Sequence, residues 1–180
     1  MKFSRFLQPG SLELLNLRVK IKAEGCPHCR CPSAVVAHGY QKCASGGNTR
    51  GMRYYCSNRY SNKGCGRTFP VRWDTVIPRC ALQSALILAL VRAVASGPSI
   101  HGAWYFSGLA ISLSSAYRWM RKWSMLTGHI RAGVCLVVAP PGKADSLPDP
   151  FTLKHLDSAF PQSPCAIAAF QFVLQSAITG

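Results

Sequence analysis

Cys26-Pro-His-Cys29 constrains this chain more than any other stretch. Two residues between thiols let the backbone turn in a tight knuckle whose amides point at the sulfurs. That places two ligands on one edge of a metal tetrahedron, at ~2.3 Å from a zinc ion. A second pair follows at Cys56 and Cys65, in "CSNRYSNKGCG", with eight residues between the thiols and Gly66 just after. The simplest site gathers Cys26, Cys29, Cys56 and Cys65 around one ion, and Cys31, Cys43, His28 and His38 compete for a place in it. A redox dithiol would sit in a thioredoxin-type βαβ unit, of which the flanking sequence shows no sign. Four thiolates in a tetrahedron suit zinc, and iron also accepts four sulfurs.

From Gly25 to Arg72 the chain is rich in Gly, Ser, Asn, Cys and Arg, and its apolar runs are short: "AVVAHGY", "GMRYYC" and "RTFPVR". These predict brief strands around loops. So little apolar mass predicts no independent core, and a structural metal supplies the missing stability, on the order of 10 kcal/mol.

The whole chain sets 21 Lys and Arg against six carboxylates, for a net charge of +15. Such a balance selects a polyanionic partner, nucleic acid or an anionic membrane surface. The most apolar run, Ala85 to Ala95, is too short to span a bilayer and Arg92 interrupts it. The N-terminus "MKFSRFLQPGSLELL" has neither a continuous apolar segment nor a small-residue cleavage site, so a cytoplasmic location with reduced thiols is expected. Nucleic acid is therefore the expected partner and a membrane is not. Arg50, Arg53, Arg59, Lys63, Arg67 and Arg72, with Tyr54, Tyr55 and Tyr60 interleaved, read as its phosphate or groove contacts.

The expected fold class is α+β: a small four-cysteine ribbon of short strands, then an all-α region. Boundaries fall at 1–22 (a basic arm), 23–77 (the ribbon), 78–131 (three helices), 132–150 (a linker) and 151–180 (C-terminal helices). Gly97-Pro98 ends the first helix, "CALQSALILALVRAVASG". Ser99 and Ser112 are placed to cap a second and a third. The pairs Asp149-Pro150 and Ser163-Pro164 are placed to open two more. At 100° per residue the third helix collects Ala116, Trp119, Met120 and Trp123 on one face, and Ser114, Arg118, Arg121 and Lys122 on the other. Two helices joined by the Gly-containing turn "FSGLAIS" resemble a helix-turn-helix, whose recognition helix needs an apolar face and an opposite face of short polar and Arg side chains. Trp104, Trp119 and Trp123 are expected in the core, and His101 and His129 are expected to pack or to lie on the surface.

"CPHC", then "RGMRYYC", then "GCGRTF" resembles the zinc ribbon at the N-terminus of bacterial insertion-sequence transposases and their small accessory proteins. In that family the pattern runs C-P-x-C, a variable hairpin, R-Y-x-C, a short knuckle and C-G-x-x-F. Arg53, Tyr54 and Cys56 fill its second part, and Cys65, Gly66 and Phe69 its third. The resemblance covers about fifty residues and implies a zinc-stabilised β ribbon that touches DNA. The eight-residue second spacing departs from the family's two. A ribbon followed by a helix-turn-helix resembles the DNA-recognition half of those transposases.

Strand transfer by that family uses three carboxylates holding two metal ions. Of the six here, Glu24 abuts the first knuckle and Asp145, Asp149 and Asp157 lie in a linker and a late helix, and none sits at the end of a convincing core strand. Neither H-x-H nor the H-x-E of zinc deaminases occurs, and His38 as a nuclease base would lack a second ligand set. The expected function is a non-catalytic DNA-binding protein of a bacterial mobile element: a transposase accessory protein, a truncated transposase or a transposition regulator. An RNA-binding module is the alternative, as is a subunit docking on a larger protein such as a transposase through helices around Leu86 and Phe170.

Overall fold

The computed structural model describes residues 5–8, 19, 21–43, 46–60, 63–80, 82–97, 99–142 and 148–179. The fold is α+β, and the chain divides into two compact units, Met1–Asp74 and Thr75–Gly180.

The first unit is built on a sheet of order β1-β4-β3-β2, with β1 at Arg5–Leu7, β2 at Val35–Cys43, β3 at Gly46–Cys56 and β4 at Thr68–Trp73. β2, β3 and β4 form an antiparallel meander, and β1 lies parallel to β4 with Phe6 opposite Arg72. The segment read as an arm thus contributes a strand, and Phe6 is fully buried. The rest of that segment, apart from Gln8, Val19, Ile21 and Lys22, lies outside the described residues. β2 and β3 are longer than the brief strands expected, because shifts in register between Ala37 and Cys43 absorb its Gly and polar residues without ending the pairing.

Period-two alternation turns Tyr54 and Cys56 of β3, with Phe69 and Val71 of β4, to one side. There they meet Ile21, Cys26, Ala34 and Val35 in a small core. Two expectations change here. The ribbon does have an apolar core, part of which is the cysteine side chains themselves. Tyr54 belongs to it: it is 2% exposed and stacks on Phe69 at 5.9 Å between ring centroids, so it is no surface contact. The reason is parity, since Cys56 must face inward and Tyr54 sits two residues before it.

The second unit holds five helices among its described residues: α1 Ser84–Ser96, α2 Ile100–Ser107, α3 Leu113–Val134, α4 Pro148–Ala159 and α5 Ala166–Leu174. Its core joins Ile87 and Val91 of α1, Met120, Trp123 and Ile130 of α3, Leu156 of α4, and Ile167 and Phe170 of α5. Arg92, which broke the apolar run, lies at the surface and pairs with Asp157 at 2.7 Å. Ser99 accepts from the Gly102 amide and Ser112 from the Ser115 amide, so both expected caps form. α3 runs on to Val134, into the segment read as linker. α4 begins at Pro148, which moves Asp149 from the expected cap into the first turn. α5 begins two residues late, because the Ser163 hydroxyl is engaged with the Cys165 amide and carbonyl in the preceding turn. Phe170 is fully buried in this core, which removes it from any docking surface.

Candidate metal centre and basic surface

A helical turn at 21–24 ends where the Gly25 amide donates to the Ile21 carbonyl. The chain then folds back at once: the Cys26 amide donates to Cys31 O at 3.1 Å, and the Arg30 amide to Cys26 O at 2.7 Å. This closes the first knuckle, and the His28 amide points at Cys26 Sγ, 3.4 Å away.

The wide second spacing does not spoil the second knuckle, because the two ends of the inserted stretch are held together. The Cys56 amide donates to Arg67 O at 2.9 Å, Gly66 N to Cys56 O at 2.9 Å and Gly64 N to Ser57 O at 3.0 Å. These three bonds zip the two ends of the excursion together, and the Cys65 amide is left pointing at Cys56 Sγ at 3.4 Å. The approach is so close that a Cβ on Gly64 would stand 2.1 Å from Ser57 O and 2.8 Å from Cys56 Sγ.

The four sulfurs of Cys26, Cys29, Cys56 and Cys65 lie within 4.8 Å of one another. Cys26 and Cys65 are 3.7 Å apart, Cys29 and Cys56 3.6 Å. A tetrahedron with ligand bonds of ~2.3 Å has sulfur–sulfur edges of ~3.8 Å, so the cluster has the size and donor chemistry to hold a metal ion. Its protonation is uneven. The Cys31 amide, donating to Cys29, lowers that thiol to about 7. Burial pushes Cys56 up to about 12 and raises Cys65 as well. The expected competitors stand aside. Cys31 is half-buried against the small core. His28 is exposed with its ring edge toward Phe69, and His38 packs against Tyr55. The side chain of Cys43 lies outside what the structure describes.

The first 74 residues carry 13 Lys and Arg against Glu13, Glu24 and Asp74, a net of +10. Arg53, Arg59, Lys63 and Arg67 are exposed, while Arg50 and Arg72 are half-buried. Arg59 and Lys63 lie in the inserted stretch, with Tyr60 between them 93% exposed. In the helical unit Ser114, Arg118 and Arg121 are exposed on α3, and Ala116, Met120 and Trp123 are buried. Lys122 is half-buried instead, with its ammonium 4.9 Å from the Trp119 ring centre.

Three features of this unit were not legible in periodicity. Trp104 donates its indole N–H to Ile111 O at 2.7 Å, which ties the end of the α2–α3 turn back onto α2. Gln171, fully buried, donates to Val76 O and accepts from the Ile178 amide. An open groove of about 560 Å³ runs beside α3, lined by Val94, Ile100, Tyr117, Arg118, Met120, Arg121, Ser124 and Asp149. No helix among the described residues is long and apolar enough to cross a membrane. No family model, curated protein or solved structure matches the chain.

Proposed function

We propose that this is a zinc-dependent DNA-binding protein without catalysis of its own, serving a bacterial mobile element as a transposase accessory protein or transposition regulator. The carrying observation is the cluster of Cys26, Cys29, Cys56 and Cys65 at the base of a sheet and loop whose exposed side chains are basic. Zinc is the ion assigned to the cluster, because four sulfurs with ~3.8 Å edges suit its tetrahedral preference and a closed set leaves no open position for chemistry. When bound it supplies structure, not reaction. Around it, backbone amides of His28 and Cys65 stabilise thiolate charge, and the knuckles fix Arg59, Lys63 and Arg67.

α2 and α3 take the role of a helix-turn-helix. Ser112 and Trp104 fix the turn, and the exposed Arg118 and Arg121 face outward from a helix locked by Met120 and Trp123. The mobile-element setting rests on the resemblance of the ribbon motifs.

The test is duplex binding over a salt series. If six to ten phosphates are neutralised, affinity falls by about three to five decades between 50 and 200 mM salt. A nearly flat dependence would show that the basic surface serves another partner.

A further inference from the structure

We infer that the outward face of the ribbon sheet binds an unpaired nucleic-acid strand, with Tyr55 and His38 stacking on its bases and Arg53 contacting its backbone. This rests on the nucleic-acid reading above and goes beyond it, since a duplex offers no free base face.

Residues opposite one another in an antiparallel pair share a face. Tyr55 lies opposite Val36 of β2 and Thr68 of β4, and Arg53 lies opposite Pro70. Tyr54, between them, points into the core, so Arg53 and Tyr55 point away from it. His38, on the exposed edge strand, brings its ring to 5.9 Å from that of Tyr55. Two adjacent aromatic rings with a guanidinium beside them, on the more basic unit of the chain, are the parts of a single-strand platform: π-faces that accept any base, and positive charge along the backbone.

The platform is held in advance of binding. Tyr55 precedes Cys56, whose sulfur belongs to the four-thiol cluster. At its other end the Tyr55 hydroxyl donates to Asn58 Oδ1 at 2.8 Å. A ring fixed at both ends loses little entropy when a base stacks on it. Spacing also favours an unpaired strand. Alternate residues of a strand stand ~6.8 Å apart, twice the ~3.4 Å rise of stacked nucleotides, so bases meeting Tyr55 and neighbours of Arg53 must be unstacked from one another.

The experiment uses the metal-loaded full chain with two labelled probes: an oligo(dT) of about 12 nucleotides, within the ~4–16 nucleotide range of single-strand sites on small β folds, and a mixed-sequence duplex of equal length. Tyr55→Ala is expected to weaken oligo(dT) binding by about 5- to 150-fold, Tyr55→Phe to preserve most of it, and duplex binding to change less than about twofold. Equal losses on both probes, or duplex binding with no oligo(dT) binding in the parent protein, overturn the inference and leave the DNA-binding proposal standing. Binding of neither probe defeats both. If Tyr55→Ala loses its metal, His38→Ala, at an exposed position, carries the test: a loss confined to oligo(dT) supports the platform, and no change overturns it. An oligo(rU) probe run in parallel identifies the strand, and tighter binding than oligo(dT) keeps the platform while reassigning it to RNA.

Discussion

Gly64→Ala tests how the wide second knuckle still delivers Cys65 to the four-thiol cluster. The new Cβ would stand 2.1 Å from Ser57 O, 2.7 Å from its carbonyl carbon and 2.8 Å from Cys56 Sγ. Two of those atoms are backbone and the third is a ligand sulfur, so no flexible side chain can give way. The two strands of the excursion must separate by ~1 Å, breaking the Gly64–Ser57 hydrogen bond, while metal–ligand distances tolerate only ~0.2 Å. Losing one ligand of four from a site worth ~10–16 kcal/mol costs on the order of 3 kcal/mol, about 100-fold in zinc affinity. Competition with a chromophoric chelator at fixed pH reads this directly. Gly128→Ala is the control, because it lies on a helix of the other unit where its Cβ would enter open space without a left-handed backbone, and its zinc affinity should match the parent. Equal affinity in the Gly64 and Gly128 variants would refute the idea that a close backbone approach holds the Cys56–Cys65 pair.

Two glycines of α3 should respond with opposite sign. Gly128→Ala meets nothing within 4 Å and should raise the stability of the helical unit by about 0.5–1 kcal/mol, whereas Gly133→Ala drives a Cβ to 2.8 Å from the Phe170 ring and should lower it by about 1–3 kcal/mol, both read from thermal melts. Acid should release the metal. Burial holds Cys56 up to about 12 and Cys65 above its usual value, so both carry protons near neutrality that zinc must displace. Apparent zinc affinity should then rise with pH by about 100-fold or more per unit near pH 7, and fall as pH falls, in chelator competition at several pH values. Arg118→Ala or Arg121→Ala should cost about 1–3 kcal/mol on a selected duplex site and much less on random duplex, in binding titrations. Equal losses on both would make α3 a basic surface only.

The four-cysteine cluster could be read in the chain because ligand chemistry is local: two thiols two residues apart declare a knuckle whatever the rest of the fold does. The second pair was legible by the Gly66 that follows Cys65, yet its closure was not, since that depends on the Cys56–Arg67 and Ser57–Gly64 backbone pairings. Helix faces followed from periodicity, and Ser99 and Ser112 capped where their position required. Tyr54 was misjudged because composition sees an aromatic among arginines, while strand parity turns it inward with Cys56. The long run of α3, the early start of α4 and the late start of α5 escaped for a related reason. Ser163 offered a cap, but its hydroxyl hydrogen-bonded the Cys165 turn instead. Contacts between distant residues, such as Gln171 with Val76 or His38 with Tyr55, leave no spacing in the sequence to find.

The most direct measurement is the metal content of the full chain purified without added metal, by native mass spectrometry with elemental analysis. About one equivalent of zinc per chain is predicted, lost together with the fold of the ribbon strands when Cys26 or Cys29 is replaced by Ser. Less than about a tenth of an equivalent of any metal, with those strands still folded, would contradict the claim that the four sulfurs organise this protein around an ion, and a full equivalent of iron would contradict the assignment of zinc.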